Sequence, residues 1–262
     1  MRLAEDFRSM ARDVLYGKWK IAVLVGVVAS MLGAVEGMGP RLDINIESSN
    51  VVASFEVAGQ TIFSTGGSLN SDLGTLLVGS YMATALIMGI IYFTLGSVIN
   101  VGYAKFNLNL ADKLEGTFEN LFSYFCYWKN MAVARLLQVI YVILWSFLFI
   151  IPGIIASYSY AMTDYILAEH PEISASEAIN LSKQMMAGNR WRLFCLDFSF
   201  IGWEILCAFT LGIGYLWLTP YEQAARAIFY REVSGTEKQK FESEWKEDTE
   251  YIYEKEEFKN EK

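Results

Sequence analysis

Six ionisable side chains interrupt apolar stretches of this sequence, and their spacing suggests that they meet inside a helical bundle. Asp197 and Glu204 are seven residues apart, which is two helical turns, so they share one helix face. Glu222 and Arg226 are four apart and can pair within one helix. A charge in the middle of a bilayer costs about 2.5–3.5 kcal/mol, so such groups face a bundle interior or an aqueous cavity. The six residues are Arg135, Asp164, Asp197, Glu204, Glu222 and Arg226.

We call the predicted cluster the polar seam. It comprises the hydroxyl groups of Tyr160 and Tyr221 together with five charged residues: Asp164, Asp197, Glu204, Glu222 and Arg226. Three interpretations stay open: charges that neutralise one another and hold helices together, a proton or substrate pathway, or carboxylates that perform acid–base catalysis. No nucleophile motif, metal-ligand set or phosphate loop accompanies the seam. The sequence therefore predicts no catalytic, cofactor-binding or metal site, and we do not expect the protein to be an enzyme.

Composition points to a membrane protein. Of the 262 residues, 53% are hydrophobic and only 19% are charged, whereas soluble domains carry about 25% charged residues. The net charge of −8 lies largely in an acidic C-terminal segment, where eleven acids and six bases follow from Glu232 onward. Without a basic stripe, nucleic acid is not expected as a partner.

Six apolar runs predict an all-α polytopic membrane protein with six transmembrane helices. We expect a membrane domain over residues 1–233 and an acidic cytoplasmic tail over residues 234–262. A span needs about 20 mostly apolar residues, and two of these runs are shorter and follow glycine-containing breaks. The expected spans are residues 19–35, 76–102, 131–151, 154–168, 193–211 and 215–230.

The placement of lysine and arginine predicts the orientation. Basic residues recur after every second predicted span, and residues 36–74 hold one base, Arg41, against five acids. Because cytoplasmic loops are enriched in bases, we expect a cell-membrane protein with both termini in the cytoplasm. In the outer loop, residues 36–74, apolar and polar residues alternate around Ser48-Ser49-Asn50, which predicts a small extracellular β-hairpin.

Three segments repeat one order of features: an amphipathic helix, a basic–aromatic edge and a span. In the third segment Ser174 and Glu177 form a capping box that should start the amphipathic helix. Setting Gly153 against Gly214 aligns Tyr160 with Tyr221, so we interpret the chain as three hairpin units, each with a cytoplasmic interfacial helix. The edges supply candidate lipid contacts, or plain anchors: Lys18, Trp19, Lys20, Trp128, Lys129, Arg190, Trp191 and Arg192.

The motifs Ile151-Pro-Gly-Ile154, Ile173-Ser-Ala-Ser-Glu177, Trp191-Arg-Leu-Phe194, Leu211-Gly-Ile-Gly214 and Pro220-Tyr221 carry a family resemblance. With the N-terminal GKWKIAVLV they resemble the domain-of-unknown-function 975 family (DUF975) of bacterial integral membrane proteins. The resemblance implies a membrane location and a topology. It transfers no activity and no site residues, because the family has none established.

The leading hypothesis is a non-enzymatic scaffold of the bacterial cell envelope that contacts the lipid bilayer, a membrane-protein partner or a second copy of itself. The alternative is a small transporter or channel that uses the acidic seam. A water-accessible cavity reaching Asp197 and Glu204 would favour transport, whereas a dry and fully paired seam would favour the scaffold.

Overall fold

The computed structural model describes residues 2–34, 41–47, 50–57, 60–68, 72–210 and 212–235. Most of this chain is helical, and two short 3-10 turns precede α4. The tail predicted for residues 234–262 lies outside the described residues from position 236 onward. The helices are α1 (Ala4–Leu15), α2 (Trp19–Met31), α3 (Asp72–Ala111), α4 (Trp128–Leu148), α5 (Ile150–Tyr160), α6 (Thr163–Glu169), α7 (Ala175–Met185), α8 (Arg190–Phe198), α9 (Ile201–Phe209) and α10 (residues 215–235).

Between α2 and α3 the chain forms three antiparallel strands in the order β1-β2-β3. The sequence predicts two strands in this loop, and the structure has a third that pairs with the second. A two-stranded hairpin is marginal in water, and a third strand adds a second ladder of hydrogen bonds. The strands are β1 (Arg41–Glu47), β2 (Asn50–Val57) and β3 (Gln60–Ser68).

The buried core joins α1 to the C-terminal helices. Phe7, Ala11 and Leu15 recur every fourth residue and form the buried face of α1. The Phe7 ring packs on Phe229 of α10 with centroids 5.3 Å apart. The Arg192 guanidinium lies over both rings, 5.9 and 5.5 Å from their centroids. The N-terminal helix is therefore packed against α8 and α10 and does not float free of them.

The prediction of six spans is wrong for the described residues, which contain two helical stretches long and apolar enough to cross a membrane. These are Ile87–Ala111 of α3 and Phe118–Leu148, which includes α4. A third would require counting α1 and α2 as one span across a 105° bend. Helices of nine residues, such as α8 and α9, rise only about 14 Å, against a hydrocarbon core of about 30 Å. The 215–235 helix is long enough but carries Glu222, Arg226, Arg231 and Glu232.

The predicted span at residues 154–168 is split between α5 and α6 by a turn at Ala161-Met162. Ser182 of α7 reaches this turn: its hydroxyl donates to the Ser159 carbonyl at 2.9 Å and accepts from the Met162 N–H at 3.2 Å. A helix can be interrupted where no water is available if another side chain satisfies the freed backbone groups. Ser182 lies on a different helix, so nothing in the local sequence signals this break.

The predicted span at residues 193–211 is split in the same manner between α8 and α9. At the turn, the Ser199 hydroxyl donates to the Leu196 carbonyl at 2.6 Å, and Arg8 of α1 donates to the Ser199 carbonyl at 3.3 Å. A side chain from a distant helix again takes up a backbone group that the helix has released.

The break predicted at Pro152-Gly153 lies earlier, at Phe149, which has extended backbone angles between α4 and α5. Pro152 instead falls in the first turn of α5, where a missing N–H costs no helical hydrogen bond. As predicted, Ser174 caps α7 by accepting a hydrogen bond from the Glu177 N–H at 3.3 Å.

A glycine stands seven positions before a tyrosine at three related places: Gly96 and Tyr103, Gly153 and Tyr160, Gly214 and Tyr221. Each glycine packs against the C-terminal end of the helix that precedes it in the chain. A Cβ atom added to Gly153 or Gly214 would come within 3.0 Å of the Cα of Ser146 or Cys207, respectively. Added to Gly96, it would lie 2.8 Å from the Gly33 carbonyl oxygen. The sequence predicts the equivalence of Gly153 and Gly214, and the structure adds Gly96 as a third member.

We expect Gly96→Ala to lower the free energy of unfolding by about 1–3 kcal/mol, because backbone must move to admit the methyl group. Gly202→Ala is the matched control: this helical glycine has open space around it, so alanine should be neutral or stabilising by up to about 1 kcal/mol. Denaturant unfolding in detergent micelles measures both. Equal effects from the two variants would contradict the close contact at Gly96.

Ser182→Ala should cost about 1–3 kcal/mol in the same assay, because it leaves the Met162 N–H and the Ser159 carbonyl without the hydroxyl. Ser157→Ala is the control, since that exposed hydroxyl bonds only the Ile154 carbonyl of its own helix. A cost for Ser182→Ala no larger than that of the control would show that the turn does not depend on α7.

Candidate functional site

The structure brings three residues of the predicted polar seam into direct contact. Arg226 of α10 grips Asp197 of α8 with two bonds, Nε to Oδ1 and Nη2 to Oδ2, each 3.1 Å long. The same Nη2 lies 2.9 Å from Oε1 of Glu222, one helical turn earlier. Two carboxylates therefore share one guanidinium. We call these three residues the Arg226 cluster.

The Arg226 cluster lies outside the two helical stretches that are long enough to span a membrane. Burial raises the pKa of the Asp197 carboxyl, and the Arg226 charge opposes the rise. Burial also raises the pKa of Glu222, where Arg226 again opposes it and the nearby Asp197 and Glu204 charges add to it. With both carboxyls ionised the cluster has one negative charge in excess, so it is able to hold a proton.

Asp164 forms a second, separate charged group. Asn100 of α3 donates from Nδ2 to its Oδ2 at 2.7 Å, and Arg135 of α4 stabilises its charge. In the alignment that sets Gly153 against Gly214, Asp164 falls on Ala225, one residue before Arg226, so the two charged groups occupy neighbouring but not equivalent positions.

Tyr165 lies near both charged groups. Its hydroxyl donates to Oε1 of Gln223 at 3.3 Å, and its ring stacks on Tyr230 with centroids 5.4 Å apart. The phenol lies within electrostatic range of both Arg226 and Asp164. On α5, Tyr158 lies near Asp197 and interacts with it electrostatically.

The other three residues of the predicted seam lie apart from these contacts. Glu204 interacts with Glu222 only through its charge. The Tyr221 hydroxyl donates to the Arg8 carbonyl at 3.1 Å, and its ring packs edge-on against Phe200. The Tyr160 ring packs on Tyr141, with centroids 5.9 Å apart.

Sequence reasoning missed Asn100, Tyr158 and Tyr165. Asn100 carried a signal, because an amide within an otherwise apolar span needs a partner. The two tyrosines carried none that separates them from neighbouring aromatic residues. Their role depends on which face of α5 and α6 turns toward α10, and the break at Ala161-Met162 changes that face.

Some of the candidate lipid contacts are exposed, and others are bound by groups of the protein itself. Trp191 is 71% exposed and Trp128 is 46% exposed, with the Lys129 ammonium 5.8 Å from the centre of the Trp128 ring. Lys20 is exposed, and Arg190 and Trp19 are partly buried, the latter with its ring near Tyr221. By contrast, Arg192 pairs with Glu232 at 2.5 Å, and the Lys18 ammonium donates to the Leu114 carbonyl at 2.9 Å.

A cavity of about 330 Å³ opens away from the Arg226 cluster, between α1, the end of α3 and α10. Neither Asp197 nor Glu204 lines it. Among the residues that the structure describes, no group of three or more histidine, cysteine, aspartate or glutamate side chains could hold a metal ion.

The C-terminal part of the chain, from the end of α4 to the end of α10, carries the Arg226 cluster, and the model of a protein family matches it over residues 147–237. The family is described as a protein of unknown function, DUF975. The matched region contains the C-terminal motifs of the resemblance, which it confirms, and every residue of the Arg226 cluster. The N-terminal GKWKIAVLV lies outside the matched residues. No curated protein and no solved structure matches the chain.

Arg226→Met should lower the free energy of unfolding by about 2–4 kcal/mol, less than for a fully buried pair, because it leaves the partly buried Asp197 and Glu222 without their counter-charge. Denaturant unfolding in micelles measures the loss. Arg12→Met is the control, since Arg12 is exposed on α1 and should cost less than about 0.5 kcal/mol. Similar losses for both variants would mean that water, rather than Arg226, compensates the two acids.

Proposed function

We propose that this DUF975 protein is a non-enzymatic component of the bacterial cell membrane that works by contacting lipids or a membrane-protein partner. The observation that carries the proposal is the pairing within the Arg226 cluster. Asp197 and Glu222 both bond to Arg226, as charges do when they hold helices together. A transport pathway would need these acids to face water, and the cavity between α1, α3 and α10 is lined by other residues.

An exposed aromatic surface supports a role in contact. Phe118, Phe122 and Phe125 form a row, with ring centroids 5.6 and 6.0 Å apart, and each is about 40% exposed. We call this row the aromatic ladder. It precedes exposed Tyr127 and Trp128 at the start of α4. Aromatic rings at the end of a span belong to the headgroup layer or to a partner's surface.

We further propose that both chain termini are cytoplasmic. Polar contacts join several helix ends into one layer: Lys18 with the Leu114 carbonyl, the Tyr124 hydroxyl with the Ala168 carbonyl, and Arg231 with Asp112. Near the C-terminal ends of α2, α4 and α9, the apolar side chains of Met31, Phe147 and Phe209 are between 64% and 89% exposed. Such tips suit hydrocarbon, and the polar layer suits the cytoplasmic headgroups.

The three-unit organisation belongs to the same proposal. The repeated glycine–tyrosine spacing and the close packing of each of these glycines support it. In this arrangement the arms enter the membrane from the cytoplasmic side, and the β-sheet is an insertion within the first unit.

A photo-crosslinking amino acid in place of Phe122 should give discrete adducts with lipid or with one membrane protein in native membranes. Replacing Phe118 and Phe125 by serine beside that probe should reduce adduct yield several-fold, because the ladder loses its apolar surface. The matched control places the probe at Leu181 of α7, which has similar exposure on a mainly polar helix.

Two results would contradict the proposal. One is the absence of adducts at Phe122 above those at Leu181. The other is solute or proton flux through the purified protein in liposomes that Asp197→Asn abolishes while the variant stays folded. The second result would establish the transporter that the sequence left open.

A further inference from the structure

The cavity between α1, the end of α3 and α10 has the size of a small-molecule site. Its lining combines apolar residues such as Val14 and Ile228 with three acids and three bases. Balanced charge beside apolar side chains suits a ligand that itself carries both signs. The six charged residues are Arg2, Asp13, Asp112, Lys113, Arg231 and Glu232.

Four of the six charges are already engaged. Arg231 binds Asp112 at 2.5 Å and also pairs with Glu169. Glu232 binds Arg192 at 2.5 Å and lies 3.7 Å from Arg2.

Asp13 and Lys113 are different, because neither forms an ion pair or side-chain hydrogen bond with any residue in the described part of the chain. Both residues are exposed. The lining therefore presents one carboxylate and one ammonium that no described side chain neutralises, and a ligand that carries both signs would pair with both of them.

The backbone holds Lys113 in a conformation that lysine rarely adopts. Its φ angle is 61°, in the left-handed region where glycine usually ends a helix. The Lys113 N–H donates to the Leu110 carbonyl at 3.0 Å, and the Leu114 N–H donates to the Asn109 carbonyl at 2.8 Å, which is the Schellman pattern. A lysine at this position fixes a positive charge where the helix carbonyls end.

The depth of the cavity points to its ligand. The membrane-length stretch Ile87–Ala111 ends at Ala111, which lines the cavity together with the two residues after it. The residues that follow a span lie in the headgroup layer. A ligand with a phosphate and an ammonium at this depth matches the headgroup of an aminophospholipid.

We propose that this cavity binds a phosphate ester of an amino alcohol, with its phosphate on Lys113 and its ammonium on Asp13. The site rests on the proposed function and names its lipid class. Lys113 and Asp13 then bind opposite ends of the ligand through charge-assisted hydrogen bonds.

Native mass spectrometry of the full-length protein, released from nanodiscs of mixed phosphatidylethanolamine and phosphatidylglycerol, tests the proposal. The parent protein should retain phosphatidylethanolamine preferentially. Asp13→Asn should remove the preference, because only the amino lipid carries an ammonium. Lys113→Gln should lower retention of both lipids about tenfold, because both carry a phosphate. Free phosphoethanolamine, added as a competitor, distinguishes a soluble ligand from a lipid: displacement of the lipid shows that the headgroup chemistry alone suffices.

Glu5→Gln on α1 and Lys183→Gln on α7 are matched charge controls, since both residues are exposed and neither lines the cavity. Ala111→Leu keeps every charge but fills space at the wall, and it should also reduce retention. Equal retention of the two lipids by the parent protein, or variants that match the controls, would overturn the proposal. Either result leaves the crosslinking test of the aromatic ladder unaffected, so the two proposals fail separately.

Discussion

The pairing of Arg226 with Asp197 and Glu222 is the constraint on which the arrangement of the C-terminal helices depends. It joins α8 to α10 inside a protein whose surface is largely apolar, where an unpaired charge has no inexpensive environment. Once these helices are joined, Arg192 meets Glu232, and α1 packs its phenylalanine face against Phe229. The N-terminal helix thus takes its position from contacts made by the last helix of the described chain.

A second constraint is the satisfaction of backbone groups wherever a helix breaks. The turns at Ala161-Met162 and Ser199-Phe200 would leave polar groups without partners in an apolar setting. Ser182 supplies both a donor and an acceptor at the first turn, and Arg8 supplies a donor at the second. Helices α7 and α1 therefore complete the two broken helices, which gives both of them a structural role.

Much of this could be predicted from local sequence. The Glu222–Arg226 contact follows from helical spacing, and Ser174 starts α7 as a capping residue should. The partner of Arg226 on α8 could not be derived, because Asp197 and Glu204 share a face by spacing and only the packing selects Asp197. The number of spans was overestimated for the same reason: the side chains that stabilise the breaks come from distant parts of the chain.

The central claim is that the Arg226 cluster is a packing contact between α8 and α10 and that its charges take no part in the protein's function. Replacing all three residues at once, as Asp197→Leu, Glu222→Met and Arg226→Met, tests it most directly. A buried ion group replaced by apolar residues of similar size is often neutral for stability. We predict that this variant unfolds within about 1 kcal/mol of the parent protein and gives the same crosslinked adducts at Phe122. A folded triple variant that loses those adducts would contradict the claim and assign the charges a role in function.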